Sequence, residues 1–188
     1  MKNLVLALFL LLNLTVFAQK PCEIDTNVTD SLGTYKSLKQ SVIYERHTEN
    51  STNIFFGLYV NNGILGVETQ FLEQSNYFIK ANCFDADSRI FLQLNNGKIV
   101  TLIYAAEETC GTYISNEKNR NSRITVGRFV FSKDNFEELK VSPVTFMRIK
   151  YATETIDYPF KTEIISELDK KTYQPENYFI DYLKCIEN

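Results

Sequence analysis

Two apolar runs folded about Asn-Asn-Gly turns organise this chain. Residues 54–60 and 64–71 flank Asn61-Asn62-Gly63. An Asn-Gly pair accepts the positive φ angles of a type I′ turn, the favoured two-residue hairpin connection. Centring the turn on Asn62-Gly63 pairs Val60 with Leu65, Leu58 with Val67, Phe56 with Thr69 and Ile54 with Phe71. One face is then apolar, and the other carries Tyr59, Gly57, Gly66, Glu68 and Gln70, as a half-buried antiparallel pair requires. The device repeats at residues 89–94 and 98–104 around Asn95-Asn96-Gly97. Centring on Asn96-Gly97 pairs Leu94 with Ile99, Leu92 with Thr101 and Ile90 with Ile103. Both faces are then largely apolar, which places this hairpin at the centre of a sheet.

The same reading covers the rest of the chain. Residues 21–30 read as a polar, irregular lead-in and 35–46 as a strand region centred on Val42, Ile43 and Tyr44. A polar turn follows at 48–53. Residues 111–121 read as a polar loop, and 123–131 alternate as a strand. Ser132 can cap a short helix through Asp134, Phe136 and Leu139, and Pro143 breaks it. Residues 144–151 form a further strand, and 155–160 return beside it at an edge marked by Pro159. Residues 162–171 fit either a helix or a strand end. Pro175 suits a first helical position and Lys184 a last turn. Tyr178, Tyr182 and Cys185 fall at i, i+4 and i+7, with Phe179, Leu183 and Ile186 as the adjoining stripe. The elements add up to a mainly β chain: an antiparallel β-sandwich or strongly curved sheet of about eight strands, closed by a C-terminal α-helix.

The first 18 residues stand apart. Lys2 is followed by an apolar run ending in Val16-Phe17-Ala18, the anatomy of a cleaved secretory signal. The run is shorter than a membrane span needs. Residues 19–188 are then one β-rich domain, secreted or periplasmic. Gln19-Lys20-Pro21 lacks the small-residue box that precedes a lipidated cysteine, so Cys22 does not read as a lipid anchor.

Export changes the reading of the four cysteines, Cys22, Cys83, Cys110 and Cys185. Disulfides are the default in an oxidising compartment. Cys83 and Cys110 lie equidistant from the Asn96-Gly97 turn, so an extended ladder sets them opposite each other. Cys185 points at the body of the protein, where Cys22 can staple the terminal helix. Zinc is the competitor, but the chain has no C-x-x-C spacing and one histidine.

Charge and chemistry add mostly exclusions. The formal charge is −3. Loss of Lys2 leaves 19 basic against 23 acidic residues, or about −4, a poor balance for binding nucleic acid. The basic-leaning stretch 118–128, with Lys118, Arg120, Arg123 and Arg128, reads as a solvated loop leading into a strand. Tryptophan is absent, which argues against broad carbohydrate platforms, although eleven tyrosines can substitute. His47 reads as an exposed strand-end residue. No Gly-x-Ser-x-Gly elbow occurs. Asp85 and Asp87 begin a calcium-loop pattern that fails at Arg89 and Ile90. Asp85 and Glu107-Glu108 can face each other across the extended hairpin, but read as solvated loop charges. The reading therefore assigns no catalytic, cofactor-binding or metal residue, and no cofactor.

A wider pattern runs through most of residues 19–188: the Leu-x-Asn-Gly turn at 94–97, the strand into Cys110, the Ser-Lys-Asp-x-Phe segment at 132–136, Met147-Arg148-Ile149, and the closing Cys185-Ile186. In this the chain resembles a group of uncharacterised exported β-rich proteins of Gram-negative bacteria, a resemblance that implies no catalytic residues. Three functional expectations follow. The first is a non-catalytic binding or envelope-associated β domain with a protein, polymer or small-molecule partner. The second is a calycin-like small-molecule binder with an apolar cavity, suggested by the two-sided second hairpin. The third and weakest is a hydrolase using Asp85, Asp87 or Glu108.

Overall fold

The computed structural model describes residues 20–116, 120–132 and 136–187. The segment 1–18 expected to be a signal and the expected helix position Asp134 lie outside them. Among the described residues the chain forms β1 (Ile24–Asp30), β2 (Gly33–Leu38), β3 (Ser41–His47), β4 (Ser51–Asn61), β5 (Ile64–Ser75), β6 (Arg89–Leu94), β7 (Ile99–Tyr104) and β8 (Thr112–Ile114). Then come β9 (Asn121–Phe131), β10 (Val144–Lys150), β11 (Thr155–Pro159), β12 (Ile164–Ile165), β13 (Thr172–Tyr173) and one α-helix, α1 (Tyr178–Ile186), with short 3-10 helices at Phe136–Lys140 and Pro175–Asn177. Eleven strands share one antiparallel sheet, in the order β1-β2-β4-β5-β9-β7-β6-β10-β11, with β3 on β4 and β8 on β9. The fold is mainly β, antiparallel, with a C-terminal helix, and holds more strands than the eight expected. The lead-in at 21–30 contains β1, and the loop at 111–121 contains β8. Both strands are mostly exposed, so neither shows the apolar alternation that marks a strand in sequence.

The sheet folds over on itself at β9. β5 pairs with β9 along ten residues, whereas β7 meets β9 at three, Leu102 to Phe131, Ile103 to Val130 and Tyr104 to Phe129. Beyond that corner the two halves splay and return face to face. Tyr44 of β3 meets Tyr158 of β11 at 5.2 Å between ring centroids, and Phe71 of β5 meets Tyr151 at 6.1 Å. Phe56, Phe84, Phe129 and Phe179 are fully buried and fill the space between the layers. Such dense aromatic packing supplies much of the apolar burial that holds the fold. Helix α1 closes one end, with Phe179 against Phe56 and Phe131.

The first hairpin has the register its turn dictates, from Asn61 opposite Ile64 to Ile54 opposite Phe71. Asn62 and Gly63 hold φ of 49° and 80°, the type I′ signature. The second hairpin departs from expectation by one residue: Leu92 lies opposite Val100 and Ile90 opposite Leu102. All three residues Asn95, Asn96 and Gly97 form its loop, with only Gly97 at positive φ (82°). That is a three-residue turn with a glycine bulge. Tertiary contacts select it: Asn95 N donates to Pro143 O, and Asn96 Nδ2 donates to Glu138 Oε2. A one-residue slip exchanges faces. Ile90, Leu92, Leu94, Val100 and Leu102 are therefore all buried on one side, and Phe91, Ile99 and Ile103 face outward. The hairpin does sit mid-sheet, as its apolar content suggested.

Two disulfides staple this frame, Cys22–Cys185 and Cys83–Cys110. The second flanks an isolated antiparallel bridge between Phe84 and Thr109. The turn at 85–88 absorbs the residue by which the bridge and the hairpin differ in register. Closing these loops stabilises by about 5 and about 3 to 4 kcal/mol in the chain-entropy account.

Candidate functional site

Most sequence-level candidates are occupied with local structure. Asp85 Oδ1 accepts from Asp87 N and Ser88 Oγ, both at 3.0 Å, so its carboxylate builds a turn. Arg89 Nη1 donates to the carbonyls of Ala86 and Ser88 rather than to Asp87. Glu107 and Glu108 are exposed. His47 sits 3.4 Å from the buried carboxylate of Glu45, which also accepts from Ser166 Oγ at 2.6 Å and Glu167 N at 3.1 Å. No group of three or more His, Cys, Asp or Glu residues among those described is placed to hold a metal ion.

The chemistry gathers instead at the end of the sandwich opposite α1. Strand register lines up Arg46 of β3, Thr52 of β4, Glu73 of β5 and Arg123 of β9 in one cross-strand row. These positions share the parity of Ile54 and Phe71, so Thr52, Glu73 and Arg123 turn toward the gap between the layers, and Arg46 is exposed at its margin. Arg123 is 6% exposed. Its Nε and Nη2 donate to Ile79 O at 3.3 and 3.2 Å and its Nη1 to Cys110 O at 2.8 Å, while its guanidinium lies 5.3 Å from the Tyr113 ring centroid. The stretch read as a solvated basic loop is thus partly structural: β9 begins at Asn121, Arg123 is interior, and Arg128 pairs with Glu68 at 2.9 Å. Lys118 lies outside the described residues.

Around this row the chain leaves a cleft of about 210 Å³. The half-buried Glu73 and the exposed Arg46 line it, with Lys80 and Glu154, which pair at 3.2 Å. Asn50, Gln74 and Asn82 complete a wall of planar polar groups. Burial pushes the Glu73 carboxyl above the ordinary glutamate range, and the opposing pull of Arg123 and Arg46 is the smaller effect. Behind it the Tyr151 and Tyr158 hydroxyls touch at 3.1 Å. Burial holds Tyr158 up at about 12 and Tyr151 well above its usual value, so both phenols stay neutral. Beside the cleft, Ser51 Oγ and Asn82 Oδ1 are shut away from solvent with no protein partner among the described residues, as are both amide atoms of Asn53.

The cleft has an aromatic lip. Tyr77 is 65% and Phe78 74% exposed, and Phe78 packs its ring 5.4 Å from Tyr113. Hydrogen bonds fix this segment: Tyr77 N donates to Ser75 Oγ, and Asn121 Nδ2 donates to Tyr77 O. Large aromatics held outward on a braced segment beside a polar cleft are the usual anatomy of a contact site.

A larger groove of about 650 Å³ crosses the outer face near Gly57. Its aromatics are already spent: Tyr59 is 6% exposed, lies against Gly66 and stacks on Tyr35 at 6.2 Å. Of its charges, Arg128 pairs with Glu68 and Lys39 with Glu23, and Asp25 also lines it. The end cleft has the better claim. Sequence reasoning missed it, although the first hairpin's register already put Glu73 on the same face as Phe71. Comparison with known proteins finds no matching family, no matching curated protein and no matching solved structure.

Proposed function

We propose that this is an exported, non-catalytic binding domain whose ligand site is the end cleft beneath Tyr77 and Phe78. The observation that carries the reading is the coincidence of an exposed, braced Phe78 with a cleft lined by charged and amide side chains. Non-catalytic action is supported by the fate of the charged groups: Asp85 builds a turn, and Glu45 and Arg123 are consumed by structural hydrogen bonds. Export is supported by two disulfides, which persist in oxidising compartments. Membership of the exported Gram-negative group rests on the motifs quoted above and is part of this proposal.

A native mass spectrum of the protein, purified gently from its exported compartment, tests the reading. The expected result is mass above the two-disulfide chain, retained in the parent and lost in Phe78→Ala. A bare chain in both preparations, or extra mass that survives the substitution, contradicts it.

A further inference from the structure

The cleft's chemistry narrows what it takes, given that it is the ligand site. Its charged groups balance in number, Arg46 and Lys80 against Glu73 and Glu154, and Lys80 and Glu154 pair at 3.2 Å. A ligand of net charge would leave one sign uncompensated in a half-buried site. The Asn50 and Asn82 side chains add planar amides, which carry both donors and acceptors. The occupant must therefore be neutral and dense in hydroxyl or amide groups. It must also present one apolar face, because Phe78 offers a flat exposed ring at the cleft. The volume of about 210 Å³ suits one six-membered ring. A pyranose meets all these demands: its hydroxyls lie around its edge and its C–H bonds form a hydrophobic face.

We infer that the end cleft binds a neutral sugar unit, a terminal or side-branch residue of a glycan, with its C–H face on Phe78 and its hydroxyls among Glu73, Asn82 and Arg46. The site uses no tryptophan, which is why the composition spoke against such binding. The remainder of a longer glycan leaves through the open mouth, past Tyr77 and Lys80. A peptide is the other molecule able to pair aromatic contacts with amide hydrogen bonds. It is disfavoured here because a cleft of about 210 Å³ takes one ring and not an extended chain.

Backbone amide NMR of the oxidised protein resolves the matter. The probes are neutral methyl glycosides of glucose, galactose, mannose and N-acetylglucosamine, and in parallel a set of short aromatic peptides. At least one glycoside is expected to shift the amides of residues 46, 73 and 78–82. Phe78→Ala is expected to weaken its binding at least tenfold while leaving the rest of the spectrum unchanged, since that side chain is outside the core. Glycosides that shift only residues of the groove near Gly57 overturn the assignment of the cleft. Peptides that shift the cleft while no glycoside does leave the cleft as the ligand site and overturn the sugar. No cleft shift from either set overturns both.

Discussion

At the scale of single residues, buried polar groups decide more than their number suggests. Strand β4 changes partner along its length, from β3 at Phe56 to β2 at Tyr59. Between them the backbone would be left unpaired. The Tyr178 hydroxyl fills the gap, donating to Phe56 O at 3.2 Å and accepting from Leu58 N at 3.1 Å. Tyr178→Phe keeps the ring and removes both bonds, so it should cost about 1 to 3 kcal/mol in denaturant unfolding. A loss near zero would show that the gap is satisfied some other way. Glu73 gives a second test, with a definite sign. Burial raises its folded pKa above the unfolded value near 4.5. The protonated form is therefore the one folding favours, and stability falls as pH rises through the folded pKa. The melting temperature of Glu73→Gln relative to the parent should thus climb between pH 4 and pH 7. A difference that ignores pH would contradict the burial of this carboxyl.

At the scale of elements, glycines separate conformational from steric constraint. Gly97 holds φ of 82° with open space where a Cβ would sit. Gly97→Ala should therefore cost only the left-handed penalty, about 1 to 2 kcal/mol. A Cβ on Gly66 would lie 2.5 Å from Phe129 O and from the Tyr59 ring. Backbone cannot yield as a side-chain tip can, so Gly66→Ala should destabilise more than Gly97→Ala in parallel thermal melts. Equal losses would mean that β5 and β9 are less closely apposed than described. The hairpins also show what sequence carries. Both turns were legible because Asn-Gly chemistry is local. The register of the second was not, because Pro143 and Glu138, more than 40 residues away, choose between a two- and a three-residue loop. β1 and β8 were invisible for a related reason: their faces are mostly solvated, so hydrogen bonding to β2 and β9, not an apolar pattern, makes them strands. The terminal helix was legible because its buried stripe of Phe179, Leu183 and Ile186 follows the 3.6-residue period.

At the scale of the whole molecule, one sheet folded at β9 makes two unlike ends. Helix α1 and the Cys22–Cys185 bond close one end. The other is left polar, tied by Cys83–Cys110 and by Arg123, whose donation to Cys110 O links that bond to the cleft floor. Cys83→Ser, with Cys110→Ser to leave no free thiol, should remove about 3 to 4 kcal/mol and lower Tm by about 10 °C. An unchanged Tm would contradict a structural role for that bond. The cleft itself could be read from sequence only in part. Parity from the first hairpin turns Glu73 inward, but Arg123 and Arg46 reach it through non-local pairing, and the exposure of Phe78 depends on the brace from Asn121.

Crystals soaked with a mixed set of small neutral polyols, amides and aromatic rings would test most directly that the polar end is where this protein meets its ligand. The structure predicts that bound fragments gather between Phe78 and Glu73. Fragments that settle in the groove near Gly57, with the end cleft passed over, would contradict it.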